Sequence, residues 1–279
     1  MTVLITGTSG LGLLTARHLA STGRDVILVG RDPARTAAAA RDLGGARTYH
    51  ADLSQWAQTR QVGERLAADG IRIDVLINNA GAAFPRFVQT GDGAERTYAI
   101  NHHAPFLLAH TLVHQGTLAA GARIINLSSF VEKRAKLDPA DPDVTGISWS
   151  RRLYSQLHVY ATSKLLSHLA TAELARRLPA GISAYSANPG MVKGTAMNRN
   201  AGGLMRLTAP LFRPFSVTPD EGVQTVLWLA TAAPAPQPSG GFFTRSREGT
   251  PSRPARDSSL ARTVYERTAA LLGTPPLPG

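Results

Sequence analysis

The strongest restriction on the fold sits at the N-terminus. Thr2-Val3-Leu4-Ile5-Thr6 is a short apolar, β-branched run that reads as a strand. It enters Gly7-Thr8-Ser9-Gly10-Leu11-Gly12, and Leu13 to Ala20 then carry apolar residues at helical spacing. Strand, glycine turn and helix in that order bring a pyrophosphate onto a helix N-terminus. There the free N–H groups and the dipole favour negative charge, and glycines let the backbone approach. A glycine-rich turn alone is weak evidence. Its place between a first strand and a first helix is what makes it informative.

The alternation continues. Asp25-Val26-Ile27-Leu28-Val29 reads as a second strand ending at Gly30-Arg31-Asp32-Pro33. In dinucleotide-binding folds the end of this strand meets the adenosine ribose, where an acid suits a free 2′-hydroxyl and an arginine a 2′-phosphate. Arg31 arrives first, which favours NADP(H) over NAD(H). The competing reading makes Arg31 a surface turn residue and Asp32 the cap of a helix opened by Pro33. A third strand is expected over 46–50, followed by Asp52 and Leu53, with Ser54 as cap of the next helix. Asp52 suits either an adenine amino group or an ordinary turn. Ile73 to Ile77 is nearly continuously apolar, as in a parallel sheet buried on both faces. It runs into Asn78-Asn79-Ala80-Gly81, small and amide residues that permit close cofactor approach.

A helix over 93–118 carries Asn101 near its centre. Asparagine is a poor interior helix residue, so a local bulge or a polar partner is expected. His102, His103, His110 and His114 share that helix, and their scatter favours surface or satisfied core roles over metal binding. A fifth strand over 123–127 ends at Ser128-Ser129, placing a hydroxyl at the crevice where ligands sit in doubly wound sheets. Residues 137–152 are polar, contain Pro139 and Pro142, and form a long excursion.

A helix over 154–178 follows, free of Gly and Pro until Pro179. Tyr160 and Lys164 are four apart and share a face of it. A fixed positive charge beside a phenol favours phenolate and moves its pKa toward the working range of a general acid/base. By itself Tyr-x-x-x-Lys is more often a solvated helix face. A sixth strand over 182–187 leads to Asn188-Pro189-Gly190. The segment 191–218 is rich in apolar residues (Met197, Leu204, Met205, Leu207, Leu211, Phe212, Phe215) and reads as a lid. A helix over 219–230, a short strand over 241–243 and a final helix over 258–272 complete the chain.

Composition narrows the partners. The formal net charge of +11 raises nucleic acid or anionic membranes. However, the excess is scattered arginine, and the one dense patch, Glu132-Lys133-Arg134-Ala135-Lys136, is short and lacks interleaved aromatics. Nucleic-acid binding is therefore not expected. There is no cysteine, which removes disulfides, thiolate nucleophiles and zinc-thiolate sites. No apolar run approaches a membrane span and no signal peptide is recognisable, so a cytoplasmic protein is expected.

Taken in order, Thr6-Gly7…Gly10-Leu11-Gly12, Asp52-Leu53, Asn78-Asn79-Ala80-Gly81, Asn101, Ser129, Tyr160…Lys164 and Asn188-Pro189-Gly190 resemble the short-chain dehydrogenase/reductase family over essentially the whole chain. The excursion and the C-terminal Gly241-Phe242-Phe243…Arg253-Pro254-Ala255-Arg256-Asp257 look most like its retinol dehydrogenase and protochlorophyllide reductase-like branch. The resemblance implies one α/β Rossmann domain over residues 1–279, a doubly wound parallel sheet of about seven strands with helices on both faces. Residues 241–279 would form a C-terminal strand and helix extension.

The resemblance also implies residue roles. Tyr160 would donate a proton to the substrate oxygen in reduction, Lys164 would lower the phenol's pKa and hold the nicotinamide ribose, and Ser129 would hold the carbonyl oxygen. Asn101 would anchor a water linking Lys164 to solvent. Gly7, Thr8, Ser9, Gly10, Leu11, Gly12, Arg31, Asp52, Leu53, Asn79, Ala80, Gly81, Tyr160, Lys164, Pro189, Gly190, Val192 and Thr195 would contact the cofactor. No metal is implied. Two departures stand out: the glycine turn is one residue short of the usual Thr-Gly-x-x-x-Gly-x-Gly, and Gly194 occupies the place of the usual carboxamide-binding threonine, with Thr195 next. The activity implied is NADP(H)-dependent interconversion of a lipophilic ketone or aldehyde and its alcohol. Net non-redox chemistry on the same scaffold and a non-catalytic cofactor-binding regulator are the rivals. Family members often pair through their two long helices, so a homo-oligomer is a further expectation, unless the C-terminal extension blocks that face.

Overall fold

The first, second and fourth strands are apolar on both faces, and the structure, a computed structural model describing residues 1–193 and 216–278, shows why. β1 (Thr2–Thr6), β2 (Asp25–Gly30), β3 (Arg47–His50), β4 (Ile73–Asn78), β5 (Leu118–Leu127), β6 (Ser183–Asn188), β7 (Phe242–Thr244) and β8 (Arg247–Glu248) form one sheet. Their order is β3-β2-β1-β4-β5-β6-β7-β8, parallel except for the antiparallel last pair. Successive side chains point to opposite faces. Leu4, Leu76 and Ile124 pack with one group of helices, α3 (Trp56–Ala68), α5 (Ala104–His114) and α6 (Gln156–Arg177). Val3, Ile5, Val75, Ile77 and Ile125 pack on the other face with α1 (Gly10–Ser21), α2 (Pro33–Asp42) and α7 (Pro219–Thr231). Each such leucine or isoleucine contributes about 1.5–3 kcal/mol by leaving water, so both faces are strongly specified.

Among the described residues the sheet has eight strands, one more than the seven or so expected. β8 is two exposed charged residues and carries no alternation for a sequence to show. β5 begins at Leu118 rather than 123, with an irregular register where β4 passes from Ile73 to Val75. The expected helix over 93–118 is a short turn α4 (Arg96–Tyr98), a π-helical turn (Ala99–His103) and α5. Gln55, not Ser54, stands at the start of α3, because the buried Ser54 hydroxyl is committed to Asp52 Oδ1 at 2.7 Å.

Helix ends follow local chemistry. Asp32 caps α2 by accepting from Arg35 N, with Pro33 in the first turn. Thr218 and Glu221 form a reciprocal capping box at α7. α6 stops at the residue pair before Pro179, whose preceding residue is forced out of helical geometry. The last helix, α8 (Ser258–Leu271), lies across α5 and α6: His102 meets Thr268 at 2.8 Å, His110 meets the Tyr265 hydroxyl at 2.7 Å, and Arg177 pairs with Glu266. The histidines His102, His103 and His110 are thus buried and hydrogen-bonded, and burial pushes His103 and His110 down to about 4. His114 is the exposed member, its ring meeting the Pro275 carbonyl.

The excursion over 137–152 is ordered by Asp143. Its carboxylate accepts from the amides of Thr145, Gly146 and Ser148 and from the Thr145 hydroxyl. This seats Val144 and Trp149 in a third core cluster with α6 and α8, where the Trp149 indole donates to the Tyr98 hydroxyl at 2.9 Å.

Candidate active site

In an open parallel sheet, ligands bind beyond the carboxyl ends of the strands where the strand order reverses. That point lies between β1 and β4, and the residues after both strands interlock. Asn79 Nδ2 donates to the Thr6 carbonyl at 2.9 Å, and Ala80 N donates to Thr6 Oγ1 at 3.0 Å. The glycine turn is packed onto this brace. A Cβ on Gly12 would meet Asn79 Nδ2 at 2.2 Å and the Gly7 carbonyl oxygen at 2.8 Å. Gly7 has φ +94°, a left-handed conformation that favours glycine. Gly10, by contrast, is exposed, with none of the described residues within 4 Å of its missing side chain.

Ser9 precedes α1 without a side-chain cap bond, so the first-turn N–H groups are left to a ligand or water. Even one residue short, this turn makes a cradle with free donors that suits a pyrophosphate. Leu11 lies beside the surface where Gly222 and Val192 meet, which joins the turn to α7.

At the end of β2, Gly30 touches Thr36 and the Thr8 methyl. Arg31 is exposed, and its guanidinium lies 4.0 Å from the Asp52 carboxylate. Asp32 caps α2 by accepting from Arg35 N, as the competing reading had it, but the cap does not decide what Arg31 meets. Asp52 uses Oδ1 on the Ser54 amide and hydroxyl. Leu53 and Ala80 line a small crevice with Thr6, Asn78 and Ile100.

The chemistry-bearing residues converge further along the sheet. Tyr160, Lys164, Ser129 and Asn101 are all buried. Burial pushes the Tyr160 phenol's pKa up, and the neighbouring Ser129 hydroxyl offsets part of the rise. Lys164 Nζ donates to the Leu127 carbonyl at 2.6 Å and lies 5.8 Å from the Tyr160 ring centre. Burial alone lowers the lysine to about 8. The two side chains do share a helix face, yet burial, not the lysine charge, dominates the phenol. At neutral pH the protein therefore holds a protonated phenol beside an ammonium poised near its titration point.

Asn101 sits in the π-helical turn, which is the local bulge expected for it. Its Oδ1 accepts from Ala82 N at 2.8 Å, and Nδ2 donates to Ala82 O at 2.9 Å and to Ser163 Oγ at 3.0 Å. Pro105, four residues on, has no N–H to give the Asn101 carbonyl, so the helix cannot close regularly there. That Asn/Pro spacing is a signal the sequence carried. A Cβ on Gly81 would stand 3.4 Å from Asn101 Oδ1 and 3.6 Å from Lys164 Nζ, which puts the Asn79-Ala80-Gly81 loop against both.

Asn188, Pro189 and Gly190 follow β6. Asn188 Oδ1 accepts from Gly190 N at 3.1 Å and Phe130 N at 3.3 Å, tying the β6 and β5 ends together. Val192 is buried and bridges Val217, so the two ends of the 191–218 segment are pinned to each other. Thr195, Gly194 and the apolar residues of the expected lid lie outside the described residues.

Three polar features had escaped the sequence reading. Asn78 Nδ2 donates to Asn126 Oδ1, whose own amide donates to Thr171, a buried chain under the site. Glu95, fully buried, accepts from the amides of Thr97 and Tyr98 and from the Tyr154 hydroxyl. Glu132, 1% exposed, is bonded to Ser252. None has a short-range signature.

The sequence profile described as short chain dehydrogenase matches residues 1–137. Human retinol dehydrogenase 13 is 32% identical over 98% of this chain and 84% of its own. A protein of Streptomyces sp. (strain C5), provisionally named daunorubicin C-13 ketoreductase DnrU, is 38% identical over 98% of this chain and 92% of its own. The chain belongs to the short-chain dehydrogenase family. Within it, the likeness is to the retinol dehydrogenase branch, and the chain is an oxidoreductase of a family that binds a nicotinamide cofactor. Among solved structures, a Mycobacterium paratuberculosis protein of uncharacterised function superposes with TM-score 0.79 at 29% identity, covering 100% of this chain and 95% of its own. A blue fluorescent protein from a metagenomic library, solved with NADPH, gives TM-score 0.65 at 28% identity over 87% of this chain and 95% of its own. Among the described residues, no helix of this short-chain dehydrogenase is long and apolar enough to cross a membrane.

Proposed function

We propose that this short-chain dehydrogenase interconverts a lipophilic ketone or aldehyde and its alcohol, using NADP(H). The observation that carries the reading is the buried meeting of Ser129, Tyr160 and Lys164 beside the Asn101 turn. When bound, the nicotinamide would supply or accept the hydride, and the chain supplies position and protons. The Ser129 hydroxyl holds the carbonyl oxygen against the phenol and stabilises the negative charge that develops on it. Tyr160, kept protonated by burial, donates its proton to that oxygen in reduction and takes it back in oxidation. Lys164, lowered to about 8, stands ready to return a proton or hold the cofactor ribose. Asn101 fixes the bend that places the Gly81 loop against the lysine.

The glycine cradle and the exposed Arg31 support a phosphorylated dinucleotide, with Arg31 toward the 2′-phosphate. Relatives named for retinol and for a daunorubicin carbonyl support a lipophilic substrate. The test is consumption of NADPH or NADH with retinaldehyde, daunorubicin and decanal, with glucose as the polar control. Faster turnover of the lipophilic carbonyls with NADPH is expected. Preference for glucose would reject the substrate class, and product formation without net change in cofactor absorbance would reject the redox reading.

A further inference from the structure

The C-terminal segment reaches the turn that carries Ser129 through one buried carboxylate. Glu132 lies in the 3-10 turn Phe130–Arg134, which Ser129 caps by accepting from Val131 N at 3.3 Å. The Glu132 amide bonds back to the Ser129 carbonyl at 3.1 Å. Its carboxylate, 1% exposed, accepts from Ser252 N at 2.8 Å and from the Ser252 hydroxyl at 2.5 Å. A carboxylate offers about four acceptor positions, and no ion pair to Glu132 occurs among the described residues. Burying a polar group with so few partners is costly, and an apolar side chain of similar size would pack there at less cost. The arrangement makes sense if the position of the turn, not its stability, is what the carboxylate secures.

We propose that Glu132 is a positioning residue for Ser129: held by the Ser252 N–H and hydroxyl, it fixes the turn that presents the serine hydroxyl to the Tyr160 phenol. The other ties on this turn, Phe130 N to Asn188 and Lys136 N to Thr162, hold its two ends. Glu132 holds its middle, one hydrogen-bonded turn from Ser129. Ser252 in turn is set by the strand pair before it, where Gly249 N donates to the Phe242 carbonyl at 2.8 Å. The far C-terminal segment thereby helps to shape the hydroxyl end of the site. This inference rests on the reading of Ser129 given above.

The experiment is a double-mutant cycle on the full chain with NADPH and the fastest of retinaldehyde, daunorubicin and decanal. Ser252→Ala keeps the backbone N–H and should lower kcat about tenfold. Glu132→Leu should lower it by about 10- to 100-fold, the loss expected when a reacting group is displaced by about 1 Å. Glu132→Gln, which can still accept from Ser252 N and donate to its hydroxyl, should restore most of that loss. NADPH affinity should stay within about twofold throughout, because the dinucleotide does not depend on this turn. In a Ser129→Ala background, Ser252→Ala should cost less than about twofold, since residues acting as a unit are not additive. Without any substrate, amide exchange of residues 130–135 should rise in Ser252→Ala while α6 stays protected. Equal losses from Ser252→Ala in both backgrounds, or unchanged exchange and kcat, would overturn the proposal while leaving the reading of Ser129 intact. If Ser129→Ala alone leaves turnover within about threefold, that reading and this inference fall together.

Discussion

Two turns at the same edge of the sheet, after β1 and after β5, are built by opposite means. The first is a gap in the side chains: Gly12 is filled by Asn79 and the Gly7 carbonyl, Gly10 opens outward, and the donors on offer are backbone N–H groups. The second works through side chains, Ser129 and Glu132 from the turn beside Tyr160 and Lys164 from α6, with anchors at Asn188, Thr162 and Ser252 elsewhere in the chain. A surface made of backbone needs only the absence of Cβ atoms, and tolerates variation in everything else. A surface made of side chains needs each one delivered by its own element. The first kind fails by steric filling, the second by loss of one group or one anchor.

The largest effect should come from the side-chain turn. Tyr160→Phe removes the proton donor and keeps the ring, so turnover with NADPH should fall by about 10²–10⁴-fold while cofactor affinity holds. A loss of affinity instead of turnover would break the comparison, because it would make Tyr160 part of the cradle. At the glycine turn, Gly12→Val places atoms where Asn79 Nδ2 and the Gly7 carbonyl already stand. It should cost about 1–3 kcal/mol in urea unfolding and abolish NADPH binding. Ser9→Ala in the same turn removes a side chain that caps nothing, and should change stability by less than about 0.5 kcal/mol.

Lys164 sharpens the contrast through pH. Its folded pKa, about 8, lies below the 10.5 of a free lysine. Between those values the unfolded chain binds more protons, so stability rises as pH climbs through that window, and the full cost is felt below pH 8. The buried tyrosines Tyr160 and Tyr98, shifted upward by burial, bring the opposite trend only above the ordinary phenol value of 10.0. From pH 8 to about 9.5 the native chain should therefore gain about 1–2 kcal/mol that Lys164→Met does not, read by urea midpoints. A flat profile in both would mean the lysine is not desolvated. Among the effects on cofactor binding, the smallest expected is Arg31→Asp. The side chain is exposed, so NADPH affinity should weaken by about tenfold, roughly 1.4 kcal/mol, with NADH unchanged. Equal weakening of both cofactors would remove Arg31 from the 2′-phosphate.

The same division governs what could be read in advance. The strand, glycine turn and helix, the apolar runs of β1, β2 and β4, the cap at Asp32 and the Tyr160/Lys164 spacing are local patterns, and each recurs in the structure within a few residues of its expected place. Asn101 showed as a poor helix residue and proved to sit in a π-helical turn, with Pro105 as the unread cause. β8 was invisible because two exposed charged residues pair only by backbone bonds to β7. Glu132 sat inside a charged pentapeptide weighed only as a basic patch, and its partner Ser252 lies 120 positions away. Ser54 looked like a cap until Asp52 took its hydroxyl.

What the sequence determined by itself is the alternation of strands and helices and the identity of the reactive groups, because periodicity, glycine placement and i, i+4 spacing act within a few residues. The tertiary structure alone decided that burial rather than the lysine charge dominates the Tyr160 phenol, that α8 covers α5 and α6, and that a serine near the C-terminus holds the turn of Ser129. Desolvation and long-range hydrogen bonds depend on which elements pack together, and no local pattern of residues encodes that.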